Sequence, residues 1–136
     1  MRWLRVEWTF RHRPFGFYHF DVDPEGERSR PPSPASDCSD PEAVLGRADI
    51  EDEIGSVLWA EGAQALIEVL EHREPSYRGK RILEVGSGTG VVGLALAADG
   101  ADVVLTDVAK ILPLLEVNCR GVPNARASQQ ELAVAS

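Results

Sequence analysis

Cysteine is scarce: Cys38 and Cys119 are the two in 136 residues, and neither sits in a CxxC or Cys/His spacing. The sequence therefore offers no disulfide framework and no metal site, and its cysteine usage fits a reducing compartment. Long apolar runs are missing as well, so nothing approaches the ~20 residues of a membrane-spanning helix. Arg5 and Glu7 interrupt the apolar start, which excludes the uninterrupted core of a secretory signal. Arg2, Arg5, Arg11 and Arg13 leave organellar import open, against which stand Glu7 and the dense aromatics around it; the expected location is cytoplasmic. Basic residues are outnumbered, 14 against 22 acidic ones, for a net charge of −8. A chain of that sign repels phosphate backbones, and nucleic acid is not an expected partner. Length is short too. A βαβ unit takes roughly 30 residues or more, so a complete six- or seven-stranded α/β sheet would be cramped.

What is present falls into three zones. Residues 1–23 hold seven of the nine aromatics, and Val6, Trp8 and Phe10 alternate with Glu7 and Thr9 at the period of a half-buried strand. A second strand is expected from Phe15 to Val22, with the bend at Arg13-Pro14. The expectation is a β-hairpin packing its aromatic face on the main domain; the alternative is an aromatic recognition surface. Residues 24–48 are expected to be a disordered acidic Pro/Ser linker, because Pro24 to Pro41 contains five of the nine prolines and too little apolar surface to offset the entropy of ordering. Residues 49–136 read as an α/β domain. Trp59, Ala63, Leu66, Ile67 and Leu70 form one helical stripe. Arg81 to Val85 reads as a strand, Val91 to Ala98 as a helix closed by Gly100, and Ala101 to Thr106 as a second strand ending in Asp107. Ile111 to Cys119 is a further helix, and Ala125 to Val134 has room for a third strand. Strands alternating with helices imply a parallel sheet.

The chemistry concentrates in Glu84-Val85-Gly86-Ser87-Gly88-Thr89-Gly90. Gly88-x-Gly90-x-x-Gly93 formally matches the dinucleotide fingerprint, but that register places Glu84 inside a strand that should be apolar. Taken as Glu-x-Gly-x-Gly-x-Gly, the strand ends at Val85 and the turn begins at Gly86, where missing side chains let a ligand approach the backbone. Glu84 then stands at the carboxyl edge of the sheet, where open α/β folds bind ligands. Asp107 ends the next strand, and a carboxylate there can accept both ribose hydroxyls of a nucleoside. Its alternative is a helix-capping acid.

Glu84 to Gly90 is similar to the first motif of the seven-strand S-adenosylmethionine-dependent methyltransferases. Val57-Leu58-Trp59-Ala60, Leu83 to Gly93, Thr106-Asp107 and Leu112 to Asn118 follow in the order of the methyltransferase-like 21 group, which methylates lysines of chaperones, elongation factors and other proteins. The resemblance, running from about Gly55 to Leu132, implies a Rossmann-like parallel sheet and S-adenosylmethionine as cofactor. By position it implies that Gly86, Ser87, Gly88 and Gly90, with Glu84, form the cofactor loop, that Asp107 holds the ribose, and that Trp59 walls the pocket. Trp59 equally suits a plain core position. The Trp-Gly pair and the acidic-aromatic motif that follow in the group do not appear before Ser136, so the expectation is the N-terminal, cofactor-binding half of a larger enzyme. No residue is assigned as catalytic: His12 and His19 fall in the hairpin and His72 at a helix end. Methyl transfer to a protein lysine is the expected activity. A non-catalytic cofactor-binding or interaction module is the alternative, and an NAD-dependent oxidoreductase suffers from the misplaced fingerprint. The residues carry no signal for oligomeric state.

Overall fold

In the computed structural model, which describes residues 2–21, 39–50 and 53–130, the aromatic start is an antiparallel hairpin of β1 (Arg2–Phe10) and β2 (Arg13–Asp21). Its bend lies at Arg11-His12 rather than at Arg13-Pro14, and Pro14 pairs with Thr9 within the ladder. A two-stranded ribbon has free edges, so a proline without an N–H is tolerated there. Arg11 and His12 take left-handed φ of 48° and 65°, the torsions of a tight two-residue hairpin turn. Such torsions cost a non-glycine residue roughly 1–2 kcal/mol.

Arg11 offsets that strain through its side chain. Its Nη1 donates to Pro75 O and to Asp99 Oδ2, each at 2.9 Å, and its Nη2 donates to Glu71 O at 2.7 Å and to Glu74 O. The guanidinium also lies 5.0 Å from the Phe10 ring centroid and 5.6 Å from that of Tyr77. Asp99, itself buried, accepts a second bond from Tyr77 N at 2.9 Å. One cation thus ties the hairpin turn to the segment that follows the second helix. Phe10, Phe15 and Phe17 join the main core, while Trp3 and Tyr18 pack on a second cluster with Leu45, Ile50, Leu114 and Val117.

The expected linker is ordered at its end. Pro41–Ala48 forms α1, because Asp40 caps it by accepting from Ala43 N at 3.2 Å and Pro41 occupies the first turn, where no N–H is missed. Leu45 anchors it in the second cluster. Residues 24–38 of that segment lie outside the described residues.

The remainder is an α/β unit: α2 (Ala60–Arg73), β3 (Arg81–Val85), α3 (Val91–Ala98), β4 (Asp102–Asp107), α4 (Leu112–Cys119) and β5 (Ala125–Gln129). The strands are parallel in the order β3-β4-β5, with Leu83 opposite Val104 and Val104 opposite Arg126. This is a three-stranded parallel α/β unit, the layout expected of the N-terminal half of a Rossmann-like sheet, preceded by the aromatic hairpin. Helix α3 is buried nearly throughout and packs Leu94 and Ala95 with Val103 and Leu105. It closes at Gly100, whose N–H bonds Ala97 O while Ala101 N–H bonds Leu96 O. The single stripe expected on α2 divides. Ala63, Ile67 and Leu70 pack on the core, but Leu66 lies at the margin and Trp59, at the non-helical cap, is 71% exposed. The other sheet face is open along β3, with Leu83 and Val85 66% and 62% exposed. No helix among the described residues is long and apolar enough to cross a membrane.

Arg11→Ala should lower unfolding free energy by about 3 kcal/mol in denaturant titrations, because it leaves Asp99 buried without its cation. A loss below ~0.5 kcal/mol, the range of an ordinary surface substitution, would contradict this role.

Candidate functional site

The loop from Gly86 to Gly90 leaves β3 at the carboxyl edge of the sheet and enters α3. Gly86, Gly88 and Gly90 all take left-handed φ, at 67°, 57° and 82°, a path that side chains disfavour. Hydrogen bonds to β4 and one within the loop fix it. Ser87 N donates to Thr106 O at 2.9 Å, Gly90 N to Ser87 O at 2.8 Å, and Gly88 N to Asp107 Oδ2 at 2.8 Å. The Ser87 hydroxyl donates to Glu84 O at 3.3 Å and accepts from Thr106 N at 3.2 Å, while Thr106 Oγ1 donates to Glu84 O at 2.7 Å. The Ser87 side chain is therefore committed to joining two strands, and what it offers a ligand is backbone.

Asp107 does not cap the helix that follows it, since α4 starts after Ile111 without a side-chain cap; its carboxylate turns to the loop instead. Its carboxylate accepts from Gly88 N and, through Oδ1, from Val108 N at 2.7 Å. A carboxylate has about four lone-pair directions, so acceptor capacity remains on the side of the loop.

Glu84 points elsewhere. Its Oε2 accepts from Gly93 N at 3.1 Å, in the first turn of α3. The cap residue Gly90 has no side chain to do this, so the adjacent strand supplies the acceptor that Asp or Ser would ordinarily provide. Burial is the main reason its carboxyl rises from 4.5 to about 7; the Asp107 charge adds to the rise, and the Gly93 N–H opposes it.

Above the loop lies an open cavity of about 340 Å³, at the lower end of small-molecule sites. Six of the seven candidate residues line it: Trp59, Glu84, Gly86, Ser87, Gly88 and Asp107. Gly90 does not. A Cβ there would stand 3.0 Å from Leu115 Cδ2, so Gly90 faces the core. Sequence reasoning missed the roof of the cavity, a 3-10 turn over Ile54–Ser56. It sits so close that a Cβ on Gly88 would lie 3.0 Å from Gly55 O. Gly55, two residues before Val57-Leu58-Trp59, is the sequence signal that went unused.

The sequence model of the lysine methyltransferase family matches residues 40–134. The chain belongs to that family. Among curated relatives it is 34% identical over 65 residues to "EEF1A lysine methyltransferase 3" of Mus musculus, covering 48% of this chain and 28% of the relative. It is 36% identical over 74 residues to "Protein N-lysine methyltransferase METTL21A" of Danio rerio, covering 54% and 34%. To "Protein-lysine N-methyltransferase EFM6" of Saccharomyces cerevisiae it is 46% identical over 46 residues, covering 29% and 19%. The chain thus spans about a third or less of the length of these lysine methyltransferases.

Between pH 4.5 and about 7 folded Glu84 keeps a proton that the unfolded chain has released. Stability should therefore fall as pH rises through that window and stay low above it, by up to roughly 3 kcal/mol. Glu84→Gln, which keeps an acceptor for Gly93 N–H, should flatten that decline in denaturation curves taken from pH 4.5 to 8. An unaltered profile would show that Glu84 does not cause it.

Proposed function

We propose that this protein is an S-adenosylmethionine-dependent protein-lysine methyltransferase, with its cofactor held in the cavity over Gly86 to Gly88. The observation that carries this reading is Asp107, held by Gly88 N–H at the end of β4 beside the glycine loop, on the wall of the same cavity. The residues fit a nucleoside that carries an amino-acid tail. A Cβ position on Gly86 meets nothing within 4 Å, which leaves room for a ligand against the backbone. Asp107 retains lone pairs for ribose hydroxyls. The exposed Trp59 indole is placed to wall the pocket, and Glu84 acts from behind by fixing the loop on α3.

Bound there, the cofactor supplies an electrophilic methyl group on a sulfonium. What the protein adds is alignment of a neutral amine with that methyl and exclusion of competing contacts. No described histidine serves as a base beside the cavity: His12 and His19 belong to the hairpin, and His72 Nδ1 lies 2.8 Å from Glu68 O at the end of α2. The proposed acceptor is a lysine on a protein of the elongation-factor or chaperone type, the former in keeping with the name of the mouse relative. Cytoplasmic location is proposed from cysteine usage.

A dinucleotide reading is disfavoured by Gly90. The second glycine of that fingerprint should face the pyrophosphate, whereas Gly90 faces Leu115.

Titration calorimetry should detect S-adenosylhomocysteine and not NAD. Asp107→Ala should weaken that binding by ~1–3 kcal/mol, the scale of a lost charged hydrogen bond. A folded sample that binds NAD alone, or neither compound, would sink the assignment.

A further inference from the structure

Asn118 does not line the cavity, yet it reaches the loop that does. It lies on α4 and is 2% exposed. Its Oδ1 accepts from Tyr18 N at 2.6 Å, and its Nδ2 donates to Tyr18 O at 3.0 Å and to Thr89 O at 2.8 Å. The first two bonds are those a neighbouring strand would make with β2, so the side-chain amide stands in for a strand. The third crosses to the glycine loop. That loop is pinned to β4 by Ser87 and Gly88 on one side, and Asn118 holds the next residue, the buried Thr89, from the hairpin side.

We propose that Asn118 is a positioning residue for the cofactor loop, and that the hairpin is through it part of the site's construction. The inference rests on the cofactor reading above. A loop with three glycines loses much backbone freedom on ordering, so each fixed carbonyl narrows the set of shapes it samples. Only a primary amide offers one acceptor and two donors in this arrangement. An ionised aspartate would keep the bond from Tyr18 N and set a bare oxygen against the Tyr18 and Thr89 carbonyls.

Asn118→Asp in the full chain tests this, compared with the unaltered protein by amide hydrogen exchange well below both melting temperatures. The expected result is exchange at Gly88 and Gly90 faster by about tenfold or more, with Val103 and Leu105 in β4 little changed. Affinity for S-adenosylhomocysteine should fall by about tenfold as well, the scale of one hydrogen bond in a buried network. Unchanged loop exchange, or an equal rise across loop and β4, would overturn the proposal by reducing Asn118 to a general stabiliser. So would faster loop exchange with unaltered affinity. If the unaltered protein binds no S-adenosylhomocysteine, the cofactor reading fails on its own, and exchange still decides whether Asn118 holds the loop. Should Asn118→Asp not fold, Asn118→Ala removes the amide without adding charge and is judged by the same outcomes.

Discussion

Helix α3 starts on a glycine and has no capping side chain of its own, so Glu84 reaches from β3 to accept its Gly93 N–H. Much follows from that one bond. The strand and helix must approach closely, and a Cβ on Gly93 would stand 2.2 Å from Leu105 Cδ2 and 2.5 Å from Glu84 Oε2. The connection between them is then left with few residues and a left-handed path, which presents Gly86 and Gly88 to the cavity and turns Gly90 inward. The cost is a carboxyl held in a partly desolvated place, where its proton is released only near neutrality. Site geometry and acid–base behaviour have the same origin.

Around that junction the molecule is braced from two directions. Strand β4 holds the loop from one side through Thr106 and Asp107, and the hairpin reaches it from the other through Asn118. The hairpin is in turn locked by Arg11, whose guanidinium satisfies carbonyls left open at the end of α2. The hairpin, expected to pack on the main domain, is thus tied both to the core and to the candidate site.

Much of this was legible in the sequence, for physical reasons that can be named. Alternation at Val6, Trp8 and Phe10 gave the hairpin, and the run from Arg81 to Asp107 gave strand, loop, helix and strand in the correct order, because period and glycine punctuation dominate there. The hairpin bend was misplaced because Arg11-His12 lacks the Asn-Gly signal and depends on tertiary contacts of Arg11. Helix α1 was hidden by Pro41, which reads as linker composition and is in fact the residue after an Asp cap. Trp59 kept two readings open until its exposure excluded the core position. Asn118 was invisible, since a polar residue within a helix reveals nothing about partners 29 and 100 positions away.

Whether the cavity over Gly86 to Gly88 receives the nucleoside is the central claim. Amide and indole chemical-shift mapping of the full chain during titration with S-adenosylhomocysteine tests it most directly. The account predicts saturable shifts concentrated at Gly86, Gly88, Asp107 and the Trp59 indole, with the Glu7 to Thr9 stretch of β1 unaffected. Shifts confined to the hairpin or the open face of β3, with the loop silent, would contradict it.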